Sequence, residues 1–265
     1  MTVRSRLDAE LVRRGLARSR EQAGELVAAG RVTVAGQRAA KAATQVTRDA
    51  AISIAEGGEP GYVSRGGNKL AGALAVFGPM GLAVAGRPCL DAGASTGGFT
   101  DVLLRAGAAH VVAVDVGYGQ LAWSLRTDPR VTVLDRVNVR TLTGVDPVPE
   151  LVVADLSFIS LTLVLPALVA CAAPDADFVL LVKPQFEVGK GRVGAGGVVR
   201  DSADRSASVR RVTGAAGQLG LGVLGVTASP LPGPAGNVEY FVWLRQGAPP
   251  LEDNQLERAI KEGPS

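Results

Sequence analysis

Seven short apolar segments recur between residues 87 and 244, and stretches with helical character separate most of them. In chain order they read RPCLDAG, HVVAVDV, RVTVLD, ELVVADL, FVLLVKP, GVLGVTA and VEYFVWL. Alternation of strands with helices requires a mostly parallel sheet that is covered by helices on both faces. A glycine count of 34 and an aromatic content of 4% suit the many tight turns of such a fold. We therefore predict an α/β fold with a doubly wound, mostly parallel, seven-stranded sheet.

The N-terminal part of the chain differs from the rest in composition and charge. Residues 1–48 contain ten Lys/Arg and four Asp/Glu, whereas the remaining residues carry a net charge of −3. Two helical patterns, SRLDAELVRRGL and SREQAGELVAAG, precede the strand-like segments RVTV and AISIA. We predict a small domain over residues 1–58, a Gly-rich linker over 59–64, the α/β domain over 65–246 and a flexible polar tail over 247–265. The basic first domain favours a polyanionic partner.

The segment LDAGASTGGFT, residues 90–100, is the strongest local motif. A strand ends at Asp91, and the glycines that follow it allow a tight turn and close approach of a ligand to the backbone. The spacing differs from the GxGxxG of dinucleotide folds, and the chain has no GKS/T sequence typical of a triphosphate P-loop. The segment resembles the S-adenosylmethionine loop of Rossmann-like methyltransferases, so S-adenosylmethionine is the expected cofactor.

Two further residues extend the predicted cofactor site. Asp115 closes the next strand, where a carboxylate can accept hydrogen bonds from ribose hydroxyls. Asn138 follows the third strand, either as a contact to adenine or as an ordinary turn residue. The predicted cofactor contacts are Asp91, Gly93, Ala94, Ser95, Thr96, Gly97, Gly98, Phe99, Asp115, Val116, Asn138 and Asp155.

Four polar residues lie in or near the ends of predicted strands and helices, where local secondary structure does not explain them. Asp155 and Lys183 end neighbouring predicted strands, and the carboxyl ends of parallel strands meet at one edge of a sheet. Glu239 lies in a late strand, and Lys69 lies near the start of a helix, where a cation opposes the helix dipole. Taken singly, each also fits an ordinary role, such as a cap or a lysine that reaches water along an apolar surface.

Together, Lys69, Asp155, Lys183 and Glu239 resemble the Lys-Asp-Lys-Glu set of FtsJ-class 2′-O-methyltransferases. A ribose hydroxyl is a poor nucleophile and must lose its proton as it attacks a methyl group. A lysine tuned by neighbouring charges can orient the hydroxyl oxygen, help to remove its proton, or do both. Alignment of the hydroxyl with the methyl group should supply much of the acceleration. This chemistry requires no metal ion, and a single histidine without a CxxC pair disfavours a zinc site.

The chain as a whole resembles the haemolysin A (TlyA) family, in which an S4 RNA-binding domain precedes an FtsJ-like methyltransferase domain. The resemblance rests on RLDAELVRRGLARSREQAGELVAAGRVTV, VSRGGNKL, LDAGASTGGFTDVLL, VVADLSFISL, LLVKPQFE and GNVEYF. It implies 2′-O-methylation of cytidines in 16S rRNA, 23S rRNA or both, within the 30S or 50S ribosomal subunits, and susceptibility to capreomycin as a consequence. We expect a cytoplasmic monomer.

RNA contacts are expected in both predicted domains. The resemblance implies basic contacts in the S4 domain, and the Gly-rich segment EVGKGRVGAGGVVRD, residues 187–201, predicts a mobile loop that closes over RNA. Such side chains hold phosphates and position the RNA without reading its sequence. The expected RNA contacts are Arg4, Arg6, Arg18, Arg20, Lys41, Arg65, Lys190 and Arg192.

Two other functions stay open at the level of sequence. An S4 domain joined to an inactive methyltransferase fold would be a non-catalytic RNA-binding factor, and S-adenosylmethionine would then not bind. Residues 156–174 contain no charged side chain and have the length of a membrane span, as a membrane-active haemolysin would need. Pro166 and three hydroxyl-bearing residues in that segment favour instead a strand end and a buried helix, without membrane insertion.

Overall fold

The structure, a computed structural model, describes residues 4–28, 30–54 and 61–263, without the side chains of Arg38 and Lys190. The chain divides into two compact units, Met1–Gly61 and Tyr62–Ser265. Residues 59 and 60 of the predicted linker lie outside the described residues. Residues 62–64, also predicted as linker, belong to the larger unit, where the Val63 N–H donates to the Asp101 carboxylate at 2.9 Å.

The smaller unit combines short strands with two helices. They are β1 (Arg4–Arg6), α1 (Leu7–Arg13), α2 (Arg20–Ala28), β2 (Val32–Val34), β3 (Gln37–Arg38), β4 (Gln45–Thr47) and β5 (Ile52–Ile54). Strand β1 pairs with β4, and β2 lies between β3 and β5, all antiparallel. Leu7 and Leu11 of α1 pack with Ala23 and Val27 of α2 over Val32, because apolar residues three or four apart share one face of a helix.

Two carboxylates of α1 are buried beneath arginines of the same unit. Arg6 and Arg20 lie 2.7 Å and 3.2 Å from Asp8, and Arg13 lies 2.6 Å from Glu10. The hydrogen bond from Arg6 holds the pKa of Asp8 well below its usual range, and Arg13 does the same for Glu10. Part of the positive charge of this unit is therefore neutralised internally.

The larger unit is an α/β fold. Its strands are β6 (Pro88–Ala92), β7 (His110–Asp115), β8 (Val131–Asp135), β9 (Leu151–Ala154), β10 (Asp177–Val182), β11 (Leu221–Ala228) and β12 (Tyr240–Gln246). Its helices are α3 (Gly66–Phe77), α4 (Gly98–Arg105), α5 (Trp123–Arg126), α6 (Leu165–Cys171), α7 (Pro184–Glu187), α8 (Ser202–Gly217) and α9 (Asp253–Glu262).

The seven strands form one sheet in the order β11–β12–β10–β9–β6–β7–β8. Strand β12 runs antiparallel to β10 and β11, and the other neighbouring pairs are parallel. The predicted doubly wound, mostly parallel, seven-stranded sheet is confirmed. Strand β6 lies between β7 and β9, so the direction of winding reverses between β6 and β9. Ligands of such sheets bind in the crevice beyond the carboxyl ends of the strands at this reversal.

Alternate residues of the central strands fill the two layers of the core. Leu180 and Val182 of β10 pack on one face of the sheet, toward helices α6, α8 and α9, whereas Val179 and Leu181 pack on the other, toward α3 and α4. This alternation follows from the two-residue period of a strand. Because β10 is covered on both faces, it is apolar throughout apart from Asp177 at its start.

Residues 247–263 do not form a flexible tail, which the polar composition of residues 247–265 predicts. Helix α9 buries Leu256 and Ala259 against the larger unit, each with 1% of its surface exposed. Before the helix, the carbonyl oxygen of Pro249 accepts a hydrogen bond from the Val223 N–H of β11 at 2.7 Å. The segment therefore covers the edge strand of the sheet, which explains why it is ordered.

The uncharged stretch 156–174 forms a loop, a 3₁₀ turn at Leu161–Leu163 and the seven-residue helix α6. Within the part of the chain that the structure describes, no helix is long and apolar enough to cross a membrane. The predicted buried helix is confirmed, because Leu165 and Leu168 are completely buried in the core. The predicted strand end is wrong for this stretch, since β9 already ends at Ala154.

Candidate active site

The loop between β6 and α4 holds a tight backbone conformation that only glycine adopts without strain. Gly93 has a φ of 87°, and a Cβ at this position would lie 2.7 Å from the carbonyl oxygen of Asp155. The loop is tied to the end of β7, because the Ser95 N–H donates to Asp115 Oδ2 at 2.8 Å. Asp115 Oδ1 accepts from the Gly117 N–H at 2.7 Å, which fixes the carboxylate.

A cavity of about 440 Å³ lies at the carboxyl ends of the strands, beside this loop. Both polar groups and apolar side chains line it, as is usual for sites that bind small molecules. Its lining residues are Gly93, Ser95, Asp115, Val116, Gln120, Asn138, Val139, Asp155, Leu156, Ser157, Phe158, Ile159 and Val164.

Six of the twelve predicted cofactor contacts line this cavity, namely Gly93, Ser95, Asp115, Val116, Asn138 and Asp155. The other six, Asp91, Ala94, Thr96, Gly97, Gly98 and Phe99, do not line it. Phe99 is buried beside Phe241, with ring centroids 6.0 Å apart, so it belongs to the core. At Gly98 a Cβ would lie 2.6 Å from the Gly67 nitrogen, so this glycine is needed for packing of α4 on α3.

Asp91 lies beneath the loop between β6 and α4, the predicted cofactor loop, with none of its surface exposed, and its contact with the cofactor stays a prediction. Its Oδ2 accepts from the Thr100 hydroxyl at 2.7 Å, and its Oδ1 has no hydrogen-bond partner among the described residues. Burial raises the pKa of this carboxyl to about 7, more than the Thr100 bond lowers it, and the charge of Asp155 raises it further.

The four predicted catalytic residues form two ion pairs. Lys183 Nζ lies 2.6 Å from Asp155 Oδ1, and Lys69 Nζ lies 2.6 Å from Glu239 Oε2. The second pair is more deeply buried, since the side chains of Lys69 and Glu239 are 8% and 1% exposed and that of Asp155 is 21% exposed. Lys183 also donates to the Ser157 hydroxyl at 2.8 Å.

Strand order brings both pairs to one edge of the sheet. Asp155 follows β9, and Lys183 follows β10, which lies beside it. The antiparallel ladder between β10 and β12 ends at the pair Val182 and Tyr240. Lys183 and Glu239 lie next to this pair in the chain, just beyond the two strands. A Cβ on Gly66 would lie 3.9 Å from Asp155 Oδ2, and Lys69 lies about one helical turn beyond Gly66 in α3. The ion pair with Glu239 thus explains a cation at this helix start.

Comparison with known proteins relates this arrangement to a family. Residues 62–246 match the family model of FtsJ-like methyltransferases, and residues 5–52 match that of the S4 domain. The chain is 61% identical over 272 residues to the 16S/23S rRNA (cytidine-2′-O)-methyltransferase TlyA of Mycobacterium tuberculosis, with 100% of both chains covered. The chain belongs to the haemolysin A (TlyA) family of FtsJ-like methyltransferases.

Two further TlyA-type proteins show the same full-length similarity. Hemolysin A of Brachyspira hyodysenteriae is 37% identical, over 89% of this chain and 98% of its own. The solved structure of a hemolysin from Streptococcus thermophilus is 39% identical, with a TM-score of 0.74 over 99% of this chain and 98% of that one. The predicted combination of an S4 domain with a Rossmann-like, FtsJ-like methyltransferase domain is confirmed.

Five of the basic residues expected to contact RNA belong to the S4 unit of this TlyA-family chain. Arg4, Arg18 and Lys41 are exposed. Arg6 and Arg20 share Asp8, yet their side chains keep 46% and 59% of their surface exposed. A guanidinium has five N–H donors, so these two arginines retain donors for a phosphate.

The three expected RNA contacts in the FtsJ-like unit have different surroundings. Arg65 is half-buried and donates to the Pro232 carbonyl oxygen at 3.0 Å, and exposed Arg192 pairs with Asp204 at 3.0 Å. The side chain of Lys190 lies outside the described part of the structure. The segment 187–201 is held near its end by Asn237, which bonds Val199 N and Gly197 O, each at 2.8 Å. Closure of the segment over RNA stays a prediction.

Sequence reasoning missed several residues of the cavity wall, above all Ser157 and Phe158. Phe158 is 93% exposed, has a φ of 63° and packs on Phe186, with ring centroids 5.3 Å apart. An exposed aromatic residue with positive φ is uncommon and is a reason to suspect function. The signal was available, since both residues directly follow Asp155 and Leu156, but the uncharged run around them favoured a buried segment.

Proposed function

We propose that this chain is an S-adenosylmethionine-dependent rRNA (cytidine-2′-O)-methyltransferase that acts on 16S and 23S rRNA in ribosomal subunits. The observation that carries the proposal is the pair of lysine–carboxylate contacts at the sheet edge, one of which borders the cavity through Asp155. The target is proposed from the name of the M. tuberculosis relative, because the similarity to it extends over both units.

The cavity suits a nucleoside with an apolar and a charged end. Its volume of about 440 Å³ falls in the range of small-molecule sites. Asp115 presents a fixed carboxylate for ribose hydroxyls, Asn138 a side-chain amide for a base, and Ile159 an apolar wall. Gly93 lets the loop backbone lie directly against the Asp155 carbonyl, so the loop and Asp155 adjoin on the cavity wall. When bound, S-adenosylmethionine supplies an electrophilic methyl group on sulfur.

Lys183 is the residue that we propose to orient the ribose 2′-hydroxyl or to accept its proton. An ammonium has three donors. Ser157 accepts from one of them and Asp155 lies at ion-pair distance, which leaves donor capacity for the substrate oxygen. In its ammonium form Lys183 donates to that oxygen and holds it in place, and in its amine form it accepts the hydroxyl proton. Either role requires the side chain to be fixed, which the two contacts achieve.

The Lys69–Glu239 pair is proposed to support the sheet edge around Lys183. Both groups are buried, and a buried charge without its partner is strongly unfavourable, so neither can leave the pair easily. The two opposite charges largely offset each other, so the pair adds little net charge to the site. The pair therefore supports the surroundings of Lys183 and need not touch the hydroxyl.

Methyl transfer to purified 30S and 50S subunits tests the proposal. Wild-type protein should transfer labelled methyl groups to cytidine 2′-oxygens of both 16S and 23S rRNA, and Lys183→Ala should lower the rate by roughly 100-fold or more. Lys261→Ala is the matched control, since Lys261 is an exposed lysine of α9 far from the cavity in sequence. Retention of wild-type rates by a folded Lys183→Ala protein would contradict the role of Lys183. Labelling of one rRNA alone would restrict the target.

A further inference from the structure

The contact between Lys183 and its partners joins two segments that the sheet itself does not hold together. The parallel ladder between β9 and β10 ends at the pair Ala154 and Leu180. Asp155 and Ser157 lie beyond this ladder on one side, and Lys183 lies beyond it on the other. Their distances of 2.6 Å and 2.8 Å therefore need another source of alignment.

Glu187, at the end of α7, bridges these two segments. Its Oε2 accepts from the Ser160 hydroxyl at 2.5 Å, and its Oε1 accepts from the Leu161 N–H at 2.8 Å. Ser160 and Leu161 begin the 3₁₀ turn that ends the loop carrying Ser157. Because α7 starts directly after Lys183, one side chain fixes the distance between the two loops.

Burial of Glu187 is costly, which argues against an incidental contact. Only 2% of its surface is exposed, and burial raises the pKa of its carboxyl. Among the side chains that the structure describes, none forms an ion pair with it. By contrast, Asp177, the buried carboxylate at the opposite end of β10, is neutralised by Arg87 and Arg245 at 2.7 Å and 2.8 Å.

The backbone of Glu187 and its neighbouring side chain strengthen the same connection. Arg211 of α8 donates to the Glu187 carbonyl oxygen at 3.0 Å, which anchors α7 from the far side. Phe186 packs on Phe158 of the opposite loop. The two loops thus meet through a buried polar contact and an aromatic contact, and the Lys183 contacts directly precede both of them in sequence.

We infer that Glu187 is a positioning residue for methyl transfer, which holds the loop of Asp155 and Ser157 against the segment of Lys183. The inference rests on the proposed function and extends it to a residue outside the Lys-Asp-Lys-Glu set. Glu187 forms no hydrogen bond or ion pair with the side chains of the four proposed catalytic residues, all of which the structure describes, so it acts through the spacing of the two loops.

Glu187→Gln provides the central test. A glutamine side chain has one acceptor oxygen where glutamate has two, so it keeps both contacts only if the Ser160 hydroxyl gives up donating to it and accepts from the NH₂ group instead. We expect kcat for subunit methylation to fall by roughly 10- to 100-fold, because misplacement of reacting groups by about 1 Å costs this much. The Kd for S-adenosylmethionine should change less than kcat, because Gly93, Asp115 and Asn138 of the cavity wall lie outside the loop that Glu187 holds. Glu187→Asp should recover part of the rate.

Ser160→Ala and Asp177→Asn distinguish positioning from loss of stability. Ser160→Ala removes the same hydrogen bond from the half-buried side and should lower kcat in the same direction. In the double variant with Glu187→Gln the two losses should not add, because both substitutions break one contact. Asp177→Asn disturbs a buried carboxylate at the start of β10, the strand that leads to Lys183, and, measured well below its melting temperature, should keep its kcat.

The outcomes separate this inference from the function on which it rests. Absence of methyl transfer by wild-type protein contradicts the proposed function. An active wild type with Glu187→Gln and Ser160→Ala within about twofold of its kcat overturns the positioning role. An equal fall in kcat for Asp177→Asn also overturns it, since the effect would then follow general stability. If Glu187→Gln does not fold, Ser160→Ala decides the question alone.

Discussion

Asp91→Asn should change how the free energy of unfolding of the larger unit depends on pH. The Asp91 carboxyl is completely buried under the loop that leads to the cavity, and one of its oxygens has no hydrogen-bond partner among the described residues. Burial raises its pKa to about 7 in the folded protein. In the unfolded chain the group is hydrated and has an ordinary pKa of about 3.9. The ionised Asp91 carboxylate therefore destabilises the folded protein, and asparagine removes this destabilisation because it carries no charge.

The sign and size of the effect follow from proton linkage. Below a pH of about 3.9 both states hold the proton, so the stabilisation by the protonated carboxyl is fully present. As the pH rises toward 7 the unfolded state loses the proton first, and stability falls by about 1.4 kcal/mol per pH unit. Above pH 7 the loss levels off near 4 kcal/mol, which is three pKa units at about 1.4 kcal/mol each. Between pH 5 and pH 8 the expected change is about 2.5 kcal/mol.

Urea unfolding of both proteins at pH 5, 6, 7 and 8 measures this change. Tryptophan fluorescence reports the larger unit, since the two tryptophans, Trp123 and Trp243, both lie in it. The stability of Asp91→Asn relative to wild type should rise by about 2.5 kcal/mol across this range, whatever constant cost the buried amide adds. Asp135→Asn is the control, because Arg126 lowers the pKa of Asp135 and both states stay ionised throughout. Parallel pH curves for Asp91→Asn and wild type would refute the reasoning.

Three further substitutions test other parts of the site. Lys69→Met should lower the free energy of unfolding in urea by about 3–5 kcal/mol, because it leaves Glu239 buried without its partner. The double variant with Glu239→Leu should regain most of this stability but no methyl transfer. Gly93→Ala should weaken S-adenosylmethionine binding at least tenfold by calorimetry, since its Cβ would meet the Asp155 carbonyl; an unchanged Kd would exclude close approach of the ligand. Phe158→Ala should alter stability by less than about 0.5 kcal/mol but raise KM for RNA several-fold, because an exposed ring can stack on a base; an unchanged KM would count against this contact.

The contact between Asp155 and Lys183 could be predicted from the sequence, and the partner of Lys69 could not. Two apolar runs that end in polar residues are enough to place Asp155 and Lys183 at one edge, because neighbouring parallel strands end together. The pairing of Lys69 with Glu239 depends on β12 running antiparallel between β10 and β11. Nothing in the local pattern of β12 reveals that order, since it is a property of long-range packing.

The predicted flexible tail shows what composition leaves out. That prediction rests on polar composition, although Leu256, Ala259 and Ile260 have the three- and four-residue spacing of an amphipathic helix. Periodicity alone predicts this helix. The burial of Asp91, by contrast, is decided by the strands on both sides of β6 and by Thr100 of α4, so only the tertiary structure reveals it.

Asp155 connects the two halves of the proposed reaction. Its side chain lies 2.6 Å from Lys183 Nζ and lines the cavity, and its backbone carbonyl faces Gly93 of the cofactor loop so closely that no Cβ fits between them. A shift of that loop must therefore move the peptide that carries the partner of Lys183. Cores and loops packed this tightly transmit small displacements because they have no free volume to absorb them. It follows that Gly93→Ala should lower kcat even at saturating S-adenosylmethionine, whereas a defect confined to cofactor affinity would disappear at saturation.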